Sequence, residues 1–353
     1  MATYNLDQCQ LDSLLDRYVS RGTEDAIFQA LKGADLLPHG HGTLGVETQS
    51  DSGTYKIPMG DDFFLDVGQS NSIILKSHGG VVIGAGDGAN SILDKGPGGD
   101  TLVGGAGAEK LEVTRGDNVL IGGGGLNTLI GGTGDDVLIG GGKSLLEAGS
   151  GDSTLMGGSN FDYSQGAGDD HGRHHGGSDD HGRHRDGRGG DDDRRGGDHG
   201  RGDDHHQGQT FSMDTLVGGS GDDLMKVYHG DNVIYAGTGH DTIYAGDGSD
   251  TIYGSTNPTA THAMDTIYLG TGDTSIQGGA AGAATIFAGM HGNDTVTGSA
   301  HGQALSLYSE QSTAGIKSMT ESGGVTTITF KDHQSLSLDH VTVHFSNGPI
   351  MKV

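Results

Sequence analysis

Hydrophobic and polar positions in this chain repeat every nine residues over much of its length. In the second half, "QTFSMDTLV" (from 209), "GGSGDDLMK" (218), "VYHGDNVIY" (227), "AGTGHDTIY" (236) and "AGDGSDTIY" (245) align with an apolar residue at position eight. A longer unit, "GSTNPTATHAMDTIY" (254), and then "LGTGDTSIQ" (269) keep the frame. The first half gives "AGDGANSIL" (85), one extra residue at Asp94, then "KGPGGDTLV" (95), "GGAGAEKLE" (104), "VTRGDNVLI" (113), "GGGGLNTLI" (122) and "GGTGDDVLI" (131). Further back, "PMGDDFFLD" (58), "VGQSNSIIL" (67) and "KSHGGVVIG" (76) keep the apolar position and lose the acidic one.

A fixed period of this length marks a solenoid. Each unit reads as a glycine turn followed by a three-residue strand whose middle side chain points inward and whose neighbours point outward. Two units complete one coil, and coils stack at the strand spacing of ~4.8 Å. Leu102, Leu120, Leu129, Leu138, Leu216, Ile234, Ile243, Ile252 and Ile267 then fill a thin core. Glycines at positions one, two and four permit φ > 0 and close backbone approach. The predicted fold class is all-β: a parallel β-roll or β-helix solenoid, with a short helical N-terminal cap and C-terminal strands.

The flanks break the period. Leu6, Leu11, Leu14, Leu15 and Tyr18 fall near helical spacing, and "TEDAIFQALKG" starts on a Thr cap and stops at Lys32–Gly33. Two short helices there would cover the open end of the solenoid, with Cys9 packed among them; a helical pair that docks a partner is the alternative. The C-terminal stretch from Gly323 alternates Thr, Ile, Phe, Leu and Val with polar residues, as strands do. Between the halves, 169–206 holds no apolar residue and eight of the 19 histidines. It reads as a disordered, solvated loop, with zinc, nickel or copper binding through imidazole as the sharper alternative. The predicted divisions are 1–57, helical cap and lead-in; 58–158, a first roll block with few acids at position six; 159–208, the insertion; 209–298, a second roll block rich in them; and 299–353, C-terminal strands.

Composition narrows the function. Seventy of 353 residues are Gly, Trp is absent and the formal charge is −27, which favours cations and disfavours nucleic acid as partners. One cysteine forms no intrachain disulfide. The N-terminal residues lack the basic and apolar regions of a signal peptide, and no run is apolar enough to span a membrane.

The acidic residue at position six explains the turn. Stacked turns gather backbone carbonyls and carboxylates, and Ca²⁺ takes six to eight such oxygens. Successive turns alternate sides, so a site pairs position six of one unit with that of the unit two later. Asp223, Asp241 and Asp265 form a fully acidic column; Asp214, Asn232 and Asp250 form the opposite one. The first half offers Asp100, Asn118 and Asp136 on one side and Asn90, Glu109 and Asn127 on the other. Carbonyls come from turn glycines, including Gly132, Gly134, Gly219, Gly221, Gly237, Gly239, Gly246 and Gly248. The alternative is a metal-free solenoid whose Asn and Asp merely favour turns.

"GGTGDDVLI", "GGSGDDLMK" and "AGDGSDTIY" resemble the G-G-x-G-x-D-x-U-x nonapeptide of RTX proteins, a calcium-binding β-helix repeat. The resemblance implies export by a type I ABC transporter, an uncleaved C-terminal secretion signal within 299–353, and an extracellular or cell-surface location. H-E-x-x-H, G-x-S-x-G and Walker A sequences are absent, so the usual protease, lipase and nucleotide sites are not expected. The expectation is a secreted calcium-binding protein with a structural, matrix or surface role, self-associating into fibres or a lattice through position-nine Tyr residues. The alternative is a polysaccharide-active or carbohydrate-binding module on the β-helix face.

Overall fold

The computed structural model describes residues 2–38, 42–57, 62–157, 213–254, 264–278, 283–288, 292–297, 305–309, 316–322, 325–331, 334–339, 341–345 and 351–352. The chain divides into two units, Met1–Tyr163 with Phe211–Val353, and Ser164–Thr210. The second unit lies outside the described residues, and so do the expectations of disorder and transition-metal binding that fall on 169–206.

The first unit is a parallel β-roll. Consecutive nonapeptides place their strands alternately in two sheets: sheet A, running from Ala2–Leu6 to Met351–Lys352, and sheet B, from Gly53–Lys56 to Ile316–Ser322. Each strand pairs in register with the strands two units away. In sheet A, Leu102 faces Leu120, then Leu138, Leu155, Met225, Ile243 and Ile267. In sheet B, Leu111 faces Leu129, then Leu146, Leu216, Ile234 and Ile252. All of these are buried. The core is one side chain deep per strand, which suits Leu and Ile and leaves little room for large rings. Full burial of each such side chain stabilises by about 1.5–3 kcal/mol.

The roll extends beyond the nonapeptide frame at three places. Leu44–Gln49 and Gly53–Lys56 already pair in parallel with Phe63–Asp66 and Ser72–Lys76, ahead of residue 58. Beyond 298, Asn293–Thr297 pairs with Ser335–Asp339 and Leu305–Ser309 with Val341–Phe345, again in parallel. Between the two halves, Lys143–Glu147 pairs with Thr215–Val217 and Thr154–Gly157 with Leu224–Val227, so one continuous roll contains both. Two units that the acidic pattern passed over, "GGGKSLLE" (140) and "AGSGDSTLM" (148), make that join. Both carry Ser where the pattern asks for an acid, and the first is one residue short.

Helices α1 (Gln8–Tyr18) and α2 (Arg21–Gly33) sit elsewhere than expected. They pack Leu11, Leu15, Ile27 and Leu31 on the outer face of sheet A, over Phe63, Leu65, Val82, Val103 and Ile121. The first strand of that sheet is the antiparallel Ala2–Leu6, which contains Leu6. The reason lies in the strands: Phe63–Asp66 and Val82–Gly84 are buried at every position, so their outer face needs an apolar cover. Asp7 closes a capping box with Gln10. Thr23 is not the cap of α2; Ser20 precedes the helix, and Thr23 Oγ1 donates to Asp87 Oδ1 at 2.9 Å, tying α2 to a turn of the roll. Cys9 is exposed, against the expectation that it packs. Among the described residues, no helix is long and apolar enough to cross a membrane.

Along the second half the outward position nine carries aromatic ladders. Tyr235 stacks on Tyr253 at 4.8 Å and 7°, and Tyr244 on Tyr268 at 4.7 Å and 6°. The ring spacing is the strand spacing, so parallel register places the rings face to face.

Ile243→Ala, which empties a core position with nothing able to fill it, should cost about 2–5 kcal/mol. Tyr244→Ser, one residue on and 39% exposed, should cost less than about 1.5 kcal/mol. Urea titration at saturating calcium checks the difference; equal losses would mean that the inward and outward assignments are wrong.

Candidate metal centre

Each turn is built by glycines of two kinds. Gly237 and Gly239 have φ of +97° and +143°, in the left-handed region, and a β-carbon on Gly239 would sit 1.8 Å from the Gly221 carbonyl oxygen. Gly132, Gly134, Gly219, Gly221 and Gly248 share the left-handed conformation, whereas Gly246 is required by close approach to the Tyr228 carbonyl. Position one does not use φ > 0, contrary to expectation. A β-carbon on Gly218 would lie 2.2 Å from the Ala236 carbonyl oxygen and 2.8 Å from Asp223 Oδ2, so this glycine keeps space open between two oxygens.

Position six of every coil points into the roll and meets its counterpart two units away. The backbone N–H of Asp100 donates to Asn118 Oδ1 (3.0 Å), that of Asn118 to Asp136 Oδ1 (2.8 Å), and that of Asp136 to Ser153 Oγ (3.2 Å). The relay continues from Ser153 to Asp223 Oδ1 (2.8 Å), from Asp223 to Asp241 Oδ1 (2.9 Å) and from Asp241 to Asp265 Oδ1 (3.3 Å). On the other side, Asp214 N–H donates to Asn232 Oδ1 and Asn232 N–H to Asp250 Oδ1, both at 2.9 Å. Thr274 N–H donates to Asp294 Oδ1 at 3.1 Å. Thus Asp100, Asp136, Asp223, Asp241 and Asp265 share one column, and Asp214 and Asp250 the opposite one.

The sequence pattern missed two features. Asp294 occupies position six of a unit beyond the last aligned nonapeptide, which ends at Gln277. Position five carries a second, exposed ladder running the other way: Asp135 N–H donates to Asp117 Oδ1 (2.9 Å), Asp152 N–H to Asp135 Oδ1 (2.8 Å), and Asp222 N–H to Asp152 Oδ1 (2.9 Å). The doubled "DD" at 135–136 and 222–223 is the sequence signal for it.

Acceptors outnumber donors in the Asp turns. Asp241 is 1% exposed, and its Oδ1 is used, but its Oδ2 is buried without a donor. The Oδ2 atoms of Asp136, Asp223 and Asp250 are in the same position. Among the described residues no donor reaches the Gly221 or Gly239 carbonyl oxygen either. A buried acceptor left unpaired costs about 1–3 kcal/mol, more when charged. Asp100 differs, since Ser77 Oγ and Val81 N–H satisfy its two oxygens.

A hard cation with mixed carboxylate and carbonyl oxygens suits this donor set, and Ca²⁺ tolerates its irregularity. Among the described residues no three His, Cys, Asp or Glu side chains converge on a point, so backbone carbonyls must supply most ligands. A groove of about 360 Å³ between α2 and the turns at 104–106, 123–124 and 140–142 has no acid in its lining.

Burial pushes the Asp241 carboxyl up to about 8, with the charges of Asp265 and Asp223 adding to it. Burial likewise raises Asp223 to about 7, Asp136 to about 6 and Asp294 to about 7. Each group binds its proton more tightly folded than unfolded, where an Asp carboxyl titrates near 3.9. Without a cation, this contribution to stability is complete below about pH 4 and is lost as pH rises through about 6 to 8. In chelator, urea midpoints should therefore rise on going from pH 8 to pH 5, and Asp241→Asn should flatten that rise. A midpoint that falls steadily over the same range would contradict the burial of these carboxylates.

Comparison with known proteins gives one family. The model of the RTX calcium-binding nonapeptide repeat matches in four copies, over residues 112–142, 212–226 and 229–256. No curated protein matches the chain. The matched stretches hold Asp136, Asp223, Asp241 and Asp250, four of the six described residues with a buried carboxylate oxygen that meets no donor; Asp66 and Glu109 lie outside them. The chain is thus a parallel β-roll that carries four copies of the RTX calcium-binding nonapeptide repeat.

Proposed function

We propose that this protein is a secreted structural or cell-surface β-roll that completes its folding when its Asp turns take up calcium outside the cell. The observation that carries the reading is the row of buried, donor-less Oδ2 atoms at Asp136, Asp223, Asp241 and Asp250. The strongest sites are those of the Asp223–Asp241–Asp265 column, with carbonyls of Gly219, Gly221, Gly237 and Gly239. Asp214 and Asp250 act with Gly246 and Gly248 on the other side, and Asp136 with Gly132 and Gly134. Asp100 contributes least, because protein donors already satisfy it. The second block, 209–298, is then calcium-rich and the first, 58–158, calcium-poor.

Extracellular calcium modules bind with dissociation constants of roughly 10⁻⁴–10⁻³ M, so such sites stay empty in cytosol and fill outside. A chain of charge −27 with a thin core is a poor folder until then, which suits export through a type I ABC transporter with a signal in 299–353. One cysteine fits a fold held by ions instead of disulfides. The β-roll is a scaffold typical of structural and calcium-binding proteins. Assembly is supported by the Tyr ladders: Tyr235 is 40% exposed on one sheet and Tyr244 39% on the other, while Val103 and Ile121 of the first half are covered within the chain. Tyr combines an apolar ring with a polar tip and suits half-wet contacts between copies.

Calcium added to the chelated chain should raise β-content by circular dichroism at millimolar concentration; identical spectra with and without calcium would remove this reading. Asp241→Ala should shift the calcium midpoint further than Asp136→Ala, because Asp241 has an acidic neighbour on both sides of its column; equal shifts would mean that the fully acidic column is not the main site. In sedimentation at millimolar calcium the wild type should associate and Tyr244→Ser/Tyr268→Ser should not. A wild-type chain that stays monomeric at high concentration would remove the assembly role.

A further inference from the structure

Position six is occupied by two side chains of the same shape, Asp and Asn, and they leave the turn in opposite electrostatic states. Both use Oδ1 alike, to accept the N–H of the coil before. The second atom differs. Asn232 Nδ2 donates to the carbonyl of its own turn at Gly230 (3.0 Å) and to Asp250 Oδ1 in the next coil (2.9 Å). Asn118 Nδ2 does the same with Gly116 O (2.6 Å) and Asp136 Oδ1 (3.1 Å). Further along the column of Asn232, Asn90 Nδ2 donates to Gly86 O (2.9 Å) and Asn127 Nδ2 to Gly124 O (2.8 Å). At Asp136, Asp223, Asp241 and Asp250 the atom in this place is a buried Oδ2 that meets no donor among the described residues.

We infer that the position-six asparagines are built-in stand-ins for the cation: their amide groups supply to the turn carbonyls, and at Asn118 and Asn232 also to the next carboxylate, the positive end that a metal ion supplies in the Asp turns, so these turns close without metal. The chain sets how many ions it needs, and where, by a choice between NH₂ and O⁻ at one atom per turn. Asn118 and Asn232 also separate the carboxylates above and below them, so that Asp100 and Asp136, and Asp214 and Asp250, are two coils apart. Asp223, Asp241 and Asp265 have no such spacer. Need for the ion is thereby concentrated on one flank of the second half. The turns of Asn90, Asn127 and Ser144, on the side of α2, close on protein donors, whereas Glu109 between the two asparagines keeps two buried carboxylate oxygens without a donor among the described residues.

This inference rests on the reading of the Asp turns as calcium sites, and the test separates the two. Bound calcium per chain and urea midpoints, in chelator and in millimolar calcium, are measured on the full-length wild type, Asp241→Asn, Asn232→Asp and Asn232→Ala. Asp241→Asn should bind at least one ion fewer, and its midpoint in chelator should rise above wild type. Asn232→Asp should bind one ion more, with a lower midpoint in chelator that calcium restores. Asn232→Ala, which loses the donor and cannot hold an ion, should be weakened in both conditions. A wild type that binds no calcium overturns the calcium reading itself. A wild type that binds calcium, with Asn232→Asp gaining no ion and behaving like Asn232→Ala, overturns the stand-in role and leaves the calcium reading in place. An Asp241→Asn midpoint in chelator at or below that of wild type overturns it equally.

Discussion

The roll depends on one hydrogen bond repeated along its length: the backbone N–H of position six given to the side chain of position six in the coil two units on. It fixes the stacking of turns as the strand ladders fix the stacking of strands. It also forces a polar side chain into the interior at every turn, next to a core only one side chain deep. The magnitudes are matched. Each inward Leu or Ile contributes about 1.5–3 kcal/mol, and each unpaired buried acceptor costs about 1–3 kcal/mol or more when charged. An Asp turn without a cation can thus offset the gain from its own strand. Whether a coil is stable is decided at the turn.

The two halves of the roll solve their outer surfaces differently. Where position nine is aliphatic, as at Val103 and Ile121, the N-terminal helices cover it and complete a second core with Phe63, Leu65 and Val82. Where it is Tyr, the rings stack on one another from coil to coil, with Tyr235 and Tyr244 exposed. The stacked faces are spent within the chain. What the ladders offer outward is an edge of ring carbons and hydroxyls, with Lys226 lying over the free face of Tyr244 at 5.2 Å.

Much of this could be read from the chain. The period of nine, with glycine at four and an apolar residue at eight, gave the parallel roll and its inward residues, because each unit repeats the same local solution. It also gave the pairing of position six across two units. The pattern failed where the physical requirement is met by another residue type. Ser144 and Ser153 accept or pass on the same relay without an acid, so their units went unnoticed. Strand edges at the solenoid's end need cover, which is why the pattern points the helices there; the outward Phe63, Leu65 and Val82, which need it more, lie in units where the glycine signal fades. That position six is buried, and that Asn and Asp there differ in their need for a donor, is a property of stacked coils and is invisible in any single unit.

One feature of the relay bears on how such a chain can change. Asn118 N–H reaches Asp136 Oδ1 at 2.8 Å across 18 residues of sequence, and Ser153 N–H reaches Asp223 Oδ1 at the same 2.8 Å across 70. Alignment of a coil is thus indifferent to the length of polypeptide between it and the one before. Closing a loop costs only about 0.6 kcal/mol more for each doubling of its length. The stretch of chain between Gly157 and Thr215 is therefore a natural place in the sequence for an insertion, since the coils before and after it stay in register. A solenoid held this way can acquire cargo by simple insertion.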